Sequence, residues 1–187
     1  MYVLRRRRTA HRFCTEEGEI EMAEVTIKKI PAHIVYSAEY DIEDFMDFFD
    51  LETEANQLYD LQFEMEADNP DVTVPEIGED YNYFEYPVKR NEDGTMHVVY
   101  CDMVDKVGKD SPKGSYHFVE VPEVTAACLM HKGPFSSFEE GFAELFDWLK
   151  NNGCETEGKG RISAINGPWD TESEENYVNE CQVIIKG

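Results

Sequence analysis

The chain has 187 residues, with 17 Lys and Arg against 40 Asp and Glu, a formal net charge of −23. One domain of this length buries roughly 70% of its unfolded surface, and an apolar share of 41% with 12% aromatics supplies a core, so long disorder is excluded. The acidity counts against nucleic acid, whose phosphates need clustered Lys and Arg, but it fits a cationic ligand, a basic protein or a plain solvated face.

The first 23 residues differ from the rest. Arg5 to Arg8 form a basic run, followed by Arg12 and then Glu16, Glu17, Glu19 and Glu21. No apolar segment follows the arginines, so this is no secretory signal. The segment reads as a disordered extension, and Met22 as an alternative start, because the patterned sequence begins there.

Val25 to Ile30 alternates and predicts a strand, closed by Pro31. His33 to Tyr40 predicts a second. From Asp41, the spacing of Ile42, Phe45, Met46 and Phe49 predicts a helix running towards Met65, broken by Asn69-Pro70 and Pro75. Residues 30–88 contain no Lys or Arg. Aromatics run through that acidic block, which predicts a folded acidic face rather than a disordered tract. Tyr83–Val88 and Met96–Val104 predict strands joined by a turn at Asn91 to Gly94.

The second half repeats the plan. His117–Val121 predicts a strand closed by Pro122, and Thr125 to His131 continues it. A helix follows, with Ser136 and Glu139, or Ser137 and Glu140, as a capping box. Its apolar stripe is Phe138, Phe142, Leu145 and Leu149, and Asn152-Gly153 ends it. Ile162 to Ile165 and Val178–Ile185 predict the last strands. Pro31 aligns with Pro122, so each half reads β(β)-α-β-β. The predicted fold is α+β: two pseudo-symmetric repeats, about 24–113 and 114–187, each a curved antiparallel sheet with a helix, and a ligand cleft between them.

Five widely spaced cysteines without a C-x-x-C or Cys/His cluster indicate reduced thiols in a cytoplasm and no metal site. No motif calls for a cofactor. No apolar run approaches the ~20 residues of a membrane helix.

Several motifs in order carry a family likeness: His131-Lys-Gly-Pro-Phe135, a helix ending in Trp148-Leu149, Asn152-Gly153, Gly167-Pro168-Trp169-Asp170 and a terminal strand from Asn179-Glu180 to Lys186. Together they resemble the GyrI-like, or bacterial transcription-activator effector-binding, domain over residues 24–187. The chain departs from that pattern at Ile184, where Pro is usual, and at Arg161 to Ile165, where an acid and a Tyr commonly precede the Gly-Pro loop.

The resemblance implies an aromatic pocket between the repeats around a buried Glu. It also implies binding of hydrophobic, often cationic, compounds, with hydrolysis of electrophilic toxins or action on a protein such as gyrase in some branches. The residues name Glu180 first, since it interrupts an otherwise apolar strand. Burial there costs several kcal/mol unless a cation offsets it, whereas plain alternation would leave it in water. Trp148, Trp169, Tyr177, Tyr100, Tyr36 and Phe135 are the candidate stacking faces, with Trp169 as a lid and core packing as the competing role.

Three functions follow in order. The first is a stand-alone binder of a hydrophobic, cationic small molecule; about 23 preceding residues are too few for a DNA-reading module, so any regulator would be a separate partner. The second is a hydrolase using Glu180 with Tyr100 or His131. The third is an acidic protein-binding module. The start at Met22 is checked by mass spectrometry of the native protein: its first peptide begins at Met22 or Ala23, and a peptide containing Arg8 contradicts this.

Overall fold

Among the described residues, eight segments carrying β-branched and aromatic residues form strands, and two segments with helical spacing form α-helices. The structure, a computed structural model, describes residues 24–43, 54–75, 82–87, 91–167 and 171–186. In chain order the elements are β1 (Thr26–Ile30), β2 (His33–Ile42), α1 (Glu54–Asp68), β3 (Asn82–Pro87), β4 (Met96–Val104), β5 (His117–Val121), β6 (Val124–Lys132), α2 (Phe138–Asn151), β7 (Thr156–Asn166) and β8 (Val178–Ile185).

All strands join one antiparallel sheet in the order β1-β6-β8-β7-β3-β4-β2-β5. Exchanging each strand for its counterpart in the other repeat (β1 with β5, β2 with β6, β3 with β7, β4 with β8) reverses this order onto itself. The repeats therefore form one continuous sheet rather than two. They meet at β3 and β7, and each lends its first strand to the other: β1 pairs with β6, and β5 with β2.

That exchange makes the sheet curl. β1 lies at one edge and β2 next to the opposite edge, yet only Pro31 and Ala32 join them. Six strand spacings of ~4.8 Å separate such positions in a flat sheet, far more than two linking residues can span. The edges must therefore approach one another. The β5–β6 connection through Pro122 and Glu123 imposes the same closure.

Both helices pack on one face. In α2, Phe142, Leu145 and Leu149 bury against Leu129, Cys181 and Val183, each worth about 1.5–3 kcal/mol when fully buried. Glu139 and Glu140 in the first turn and Lys150 in the last complement the helix dipole. Gly153 adopts φ +65°, and the Cys154 N–H donates to the Leu149 carbonyl at 3.0 Å, ending the helix as predicted. α1 buries Leu61 and Met65 over Tyr36, Ala38 and Tyr100, and exposes Tyr59 and Phe63. Its end is fixed by Asn69, whose side-chain amide donates to the Met65 carbonyl, the Lys109 carbonyl and the Tyr116 hydroxyl.

Three local expectations are corrected. The first helix does not begin at Asp41: Asp41 and Ile42 continue β2, paired with His97 and Met96, because the hydrogen-bonding partner strand β4 runs that far. Phe45, Met46 and Phe49 lie outside the described residues, as does the whole segment 1–23. Neither capping box forms: the N-cap residue is Ser137 rather than Ser136, and Ser137 makes no side-chain cap bond. Its hydroxyl bonds His131 Nε2 at 2.9 Å and donates to the Pro134 carbonyl at 2.8 Å, so it braces the strand-to-helix turn instead. β7 starts earlier than Ile162, at Thr156, with a break in register before Gly160.

The close seat of α2 depends on Gly141. A Cβ there would stand 2.9 Å from His131 Cβ and 3.1 Å from Cys181 Sγ. Gly141→Val is expected to destabilise the fold by about 1–3 kcal/mol or more in urea unfolding, through overpacking. Wild-type stability in that variant would contradict the seating.

Candidate functional site

Side chains alternate between the two faces of each strand, and directly paired residues share a face. This assigns each candidate residue that lies in a strand. Glu180 pairs with Ser163 and Met130, and Arg161 with Gln182 and Glu85. Tyr83 pairs with Cys101, Cys101 with Ser37 and Ser37 with His117. These residues occupy the face away from the helices. Phe84, Tyr100, Ala38, Ile162 and Cys181 alternate with them and face the helices.

Ser37, Tyr83, Arg161, Ser163, Glu180 and Gln182 are all buried, although neither helix packs on them. The inside of a curled sheet has this property, so theirs is the inner face. It is unusually polar. Glu180 is 1% exposed; one carboxylate oxygen is paired with Lys28 Nζ, and the other accepts from Gln182 Nε2 at 2.8 Å. Arg161 lies over the Tyr83 ring, 4.5 Å from its centroid, and its Nε donates to Glu85 at 3.1 Å. The Tyr83 hydroxyl meets His33 Nε2 at 3.1 Å. Burial holds His33 below the ordinary His range, and the Arg161 charge adds to this; burial also raises Tyr83. The Cys101 thiol is pushed up to about 12, chiefly by burial, and is inert as a nucleophile.

The outer face under α1 holds a second buried carboxylate. Asp102, also 1% exposed, accepts from the Tyr36 hydroxyl at 2.9 Å and the Tyr100 hydroxyl at 3.4 Å. Tyr36 and Tyr116 meet edge to face at 6.1 Å. Burial, then the neighbouring Tyr100 and Asp102, keep the Tyr36 phenol protonated far beyond its usual range, so it stays a donor. Beside this layer an open cleft of about 610 Å³ is lined by Glu39, Asp60, Glu64, Tyr40, Leu61 and His117.

Of the seven residues singled out by sequence, the six that are described do not gather at one place. Glu180 is buried on the inner face. Tyr36 and Tyr100 lie across the sheet from it with Asp102. Phe135 and Tyr177 pack together, with centroids 5.0 Å apart, at the turn before α2. Trp148 is part-buried against the α2 core, and Trp169 lies outside the described residues. His131, paired with Asn179, also faces the helices, so Glu180 shares its site with neither Tyr100 nor His131.

Sequence reasoning missed Asp102, Lys28 and the Arg161–Glu85 pair. Asp102 carries the signal that marked Glu180, an acid inside an apolar strand. The two ion pairs carry no local signal, because their members lie 152 and 76 residues apart. Among the described residues, no group of three or more His, Cys, Asp and Glu could hold a metal, and no helix is long and apolar enough to cross a membrane.

Arg161 is buried, so removing its partner leaves a charge uncompensated. Glu85→Gln is expected to cost about 3–5 kcal/mol in denaturant unfolding, and adding Arg161→Met to recover most of it. Additive losses in the double variant would contradict the pairing.

The fold has close relatives among solved structures. The C-terminal domain of EcmrR superposes with a TM-score of 0.73 at 27% identity, covering 88% of this chain and 98% of that one. EcmrR in a complex with DNA matches with a TM-score of 0.72 at 27% identity; the match covers 89% of this chain and 59% of EcmrR. SAV2435 bound to tetraphenylphosphonium shares the fold at 11% identity, with a TM-score of 0.53 and coverage of 88% and 94%. So does a hydrolase encoded by lin2189 of Listeria innocua, at 13% identity, with a TM-score of 0.59 and coverage of 88% and 93%. No curated protein sequence matches. The family model described as the GyrI-like small molecule binding domain matches residues 23–186, nearly the whole chain: the protein belongs to the GyrI-like family.

Proposed function

We propose that this protein binds a hydrophobic, cationic small molecule, with Glu180 on the inner face of the sheet as the counter-charge. The observation that carries this reading is a carboxylate buried to 1% exposure that already holds an ammonium, that of Lys28. A buried carboxylate is tolerated only when paired and hydrogen-bonded, and Glu180 is both. The site therefore accommodates a cation at that oxygen. Tyr83, on the same face, supplies an aromatic surface that already carries a cation, the Arg161 guanidinium.

The net charge of −23 draws a cationic ligand at long range, an effect that salt screens. Tetraphenylphosphonium, the compound bound to SAV2435, is a suitable probe. The wide spacing of the cysteines, with three of the four described ones buried, supports a reducing cytoplasm as the setting.

The geometry gives hydrolysis less support. A general base needs its proton acceptor and donor within hydrogen-bond reach of one substrate, and Glu180 is separated from Tyr100 and His131 by the sheet itself.

Titration calorimetry tests the reading. Wild-type protein is expected to bind tetraphenylphosphonium, and Glu180→Gln to weaken it at least tenfold while leaving neutral triphenylphosphine oxide unchanged. Lys28 is part-exposed and can turn to solvent in that variant, so the fold is retained. Equal affinity of both proteins for the cation overturns the assignment.

A further inference from the structure

Lys28 belongs to β1, a five-residue strand at the edge of the sheet with β6 as its one neighbour. Its side chain is 35% exposed, whereas that of Glu180 is 1% exposed. The ammonium therefore reaches inward from the rim to a carboxylate it cannot leave without consequence. The two residues are not register partners: Lys28 pairs with Ala126, and Ala126 with Ile184, four residues along β8 from Glu180. A long, flexible side chain spans that diagonal, and the same flexibility lets it swing out to water.

We propose that Lys28 is a tethered cation that occupies the ligand's charge position and sets which cations can bind. This inference rests on the binding reading given above. Any incoming cation competes with an ammonium of the same molecule, present at a high effective concentration. If the paired state outweighs the open state tenfold, apparent affinity falls about tenfold for every cation alike. A compact cation offers Glu180 no more than Lys28 does. A lipophilic cation adds apolar area buried on the inner face, so it alone displaces Lys28. Selectivity for hydrophobic over small hydrophilic cations is then built into the fold. The open partner also has somewhere to go: a displaced Lys28 faces solvent at an edge strand, so its charge is not left buried.

Lys28 is thus a specificity-determining residue, and three variants test it. Lys28→Met is expected to bind tetraphenylphosphonium at least tenfold more tightly than wild type, and Lys28→Arg as wild type. Lys28→Ala leaves a hole of ammonium size, so millimolar n-propylammonium is expected to raise its Tm by several degrees while leaving wild type and Lys28→Ala/Glu180→Gln unmoved. A merely structural lysine would not give the tighter binding, and the rescue shows that the vacated position takes a free cation. Wild-type binding with unchanged or weaker affinity in Lys28→Met, and no rescue of Lys28→Ala, overturns this inference alone. Absence of cation binding by both wild type and Lys28→Met overturns the binding reading and this inference with it.

Discussion

Strand alternation across one continuous sheet is the constraint on which the rest depends. With a side-chain period of two, each register fixes the face of every residue in that strand. The order β1-β6-β8-β7-β3-β4-β2-β5 carries that assignment through the whole chain. It sends the aliphatic stripe of β8, Cys181 and Val183, to α2, and sends Glu180 and Gln182 to the opposite side. It gives Tyr36, Tyr100 and Asp102 to α1. Two buried carboxylates in one small domain are thereby kept apart, one among phenols and one opposite an ammonium.

The exchange of first strands turns that sheet into an enclosure. Because two residues must bridge β1 and β2, and two more β5 and β6, the edges are drawn together and the face away from the helices becomes an interior. This is why polar side chains such as Arg161, Ser163 and Glu180 are buried without a covering helix. Such an interior needs internal partners, and it has them: Lys28 for Glu180, Glu85 for Arg161, His33 for Tyr83. The helices do different work. α2 lies close through Gly141, whereas α1 rests on a layer of large tyrosines beside the acidic cleft.

Much of this was legible in the sequence. Pro31 and Pro122 mark the ends of the lent strands, the stripe of α2 and its Gly153 stop are local, and Glu180 stands out because an acid in an apolar strand is costly. What was not legible depends on distant pairing. Ile42 fits a helical spacing, but β4 holds it in a strand. Tyr100 and Glu180 look compatible until register puts the sheet between them. Ser137 has the right neighbours for a capping box, but His131 and Pro134 take its hydroxyl. Lys28 is one of two adjacent lysines in an edge strand, and only the curl brings it to Glu180.

In the binding mode proposed above, the inner face around Glu180 receives a cation by displacing Lys28. A crystal structure of the protein with a lipophilic cation tests this most directly. The cation is expected against the Glu180 carboxylate, with the Lys28 ammonium turned out to solvent. A cation seated instead among Glu39, Asp60 and Glu64, with the Lys28–Glu180 pair intact, would contradict it.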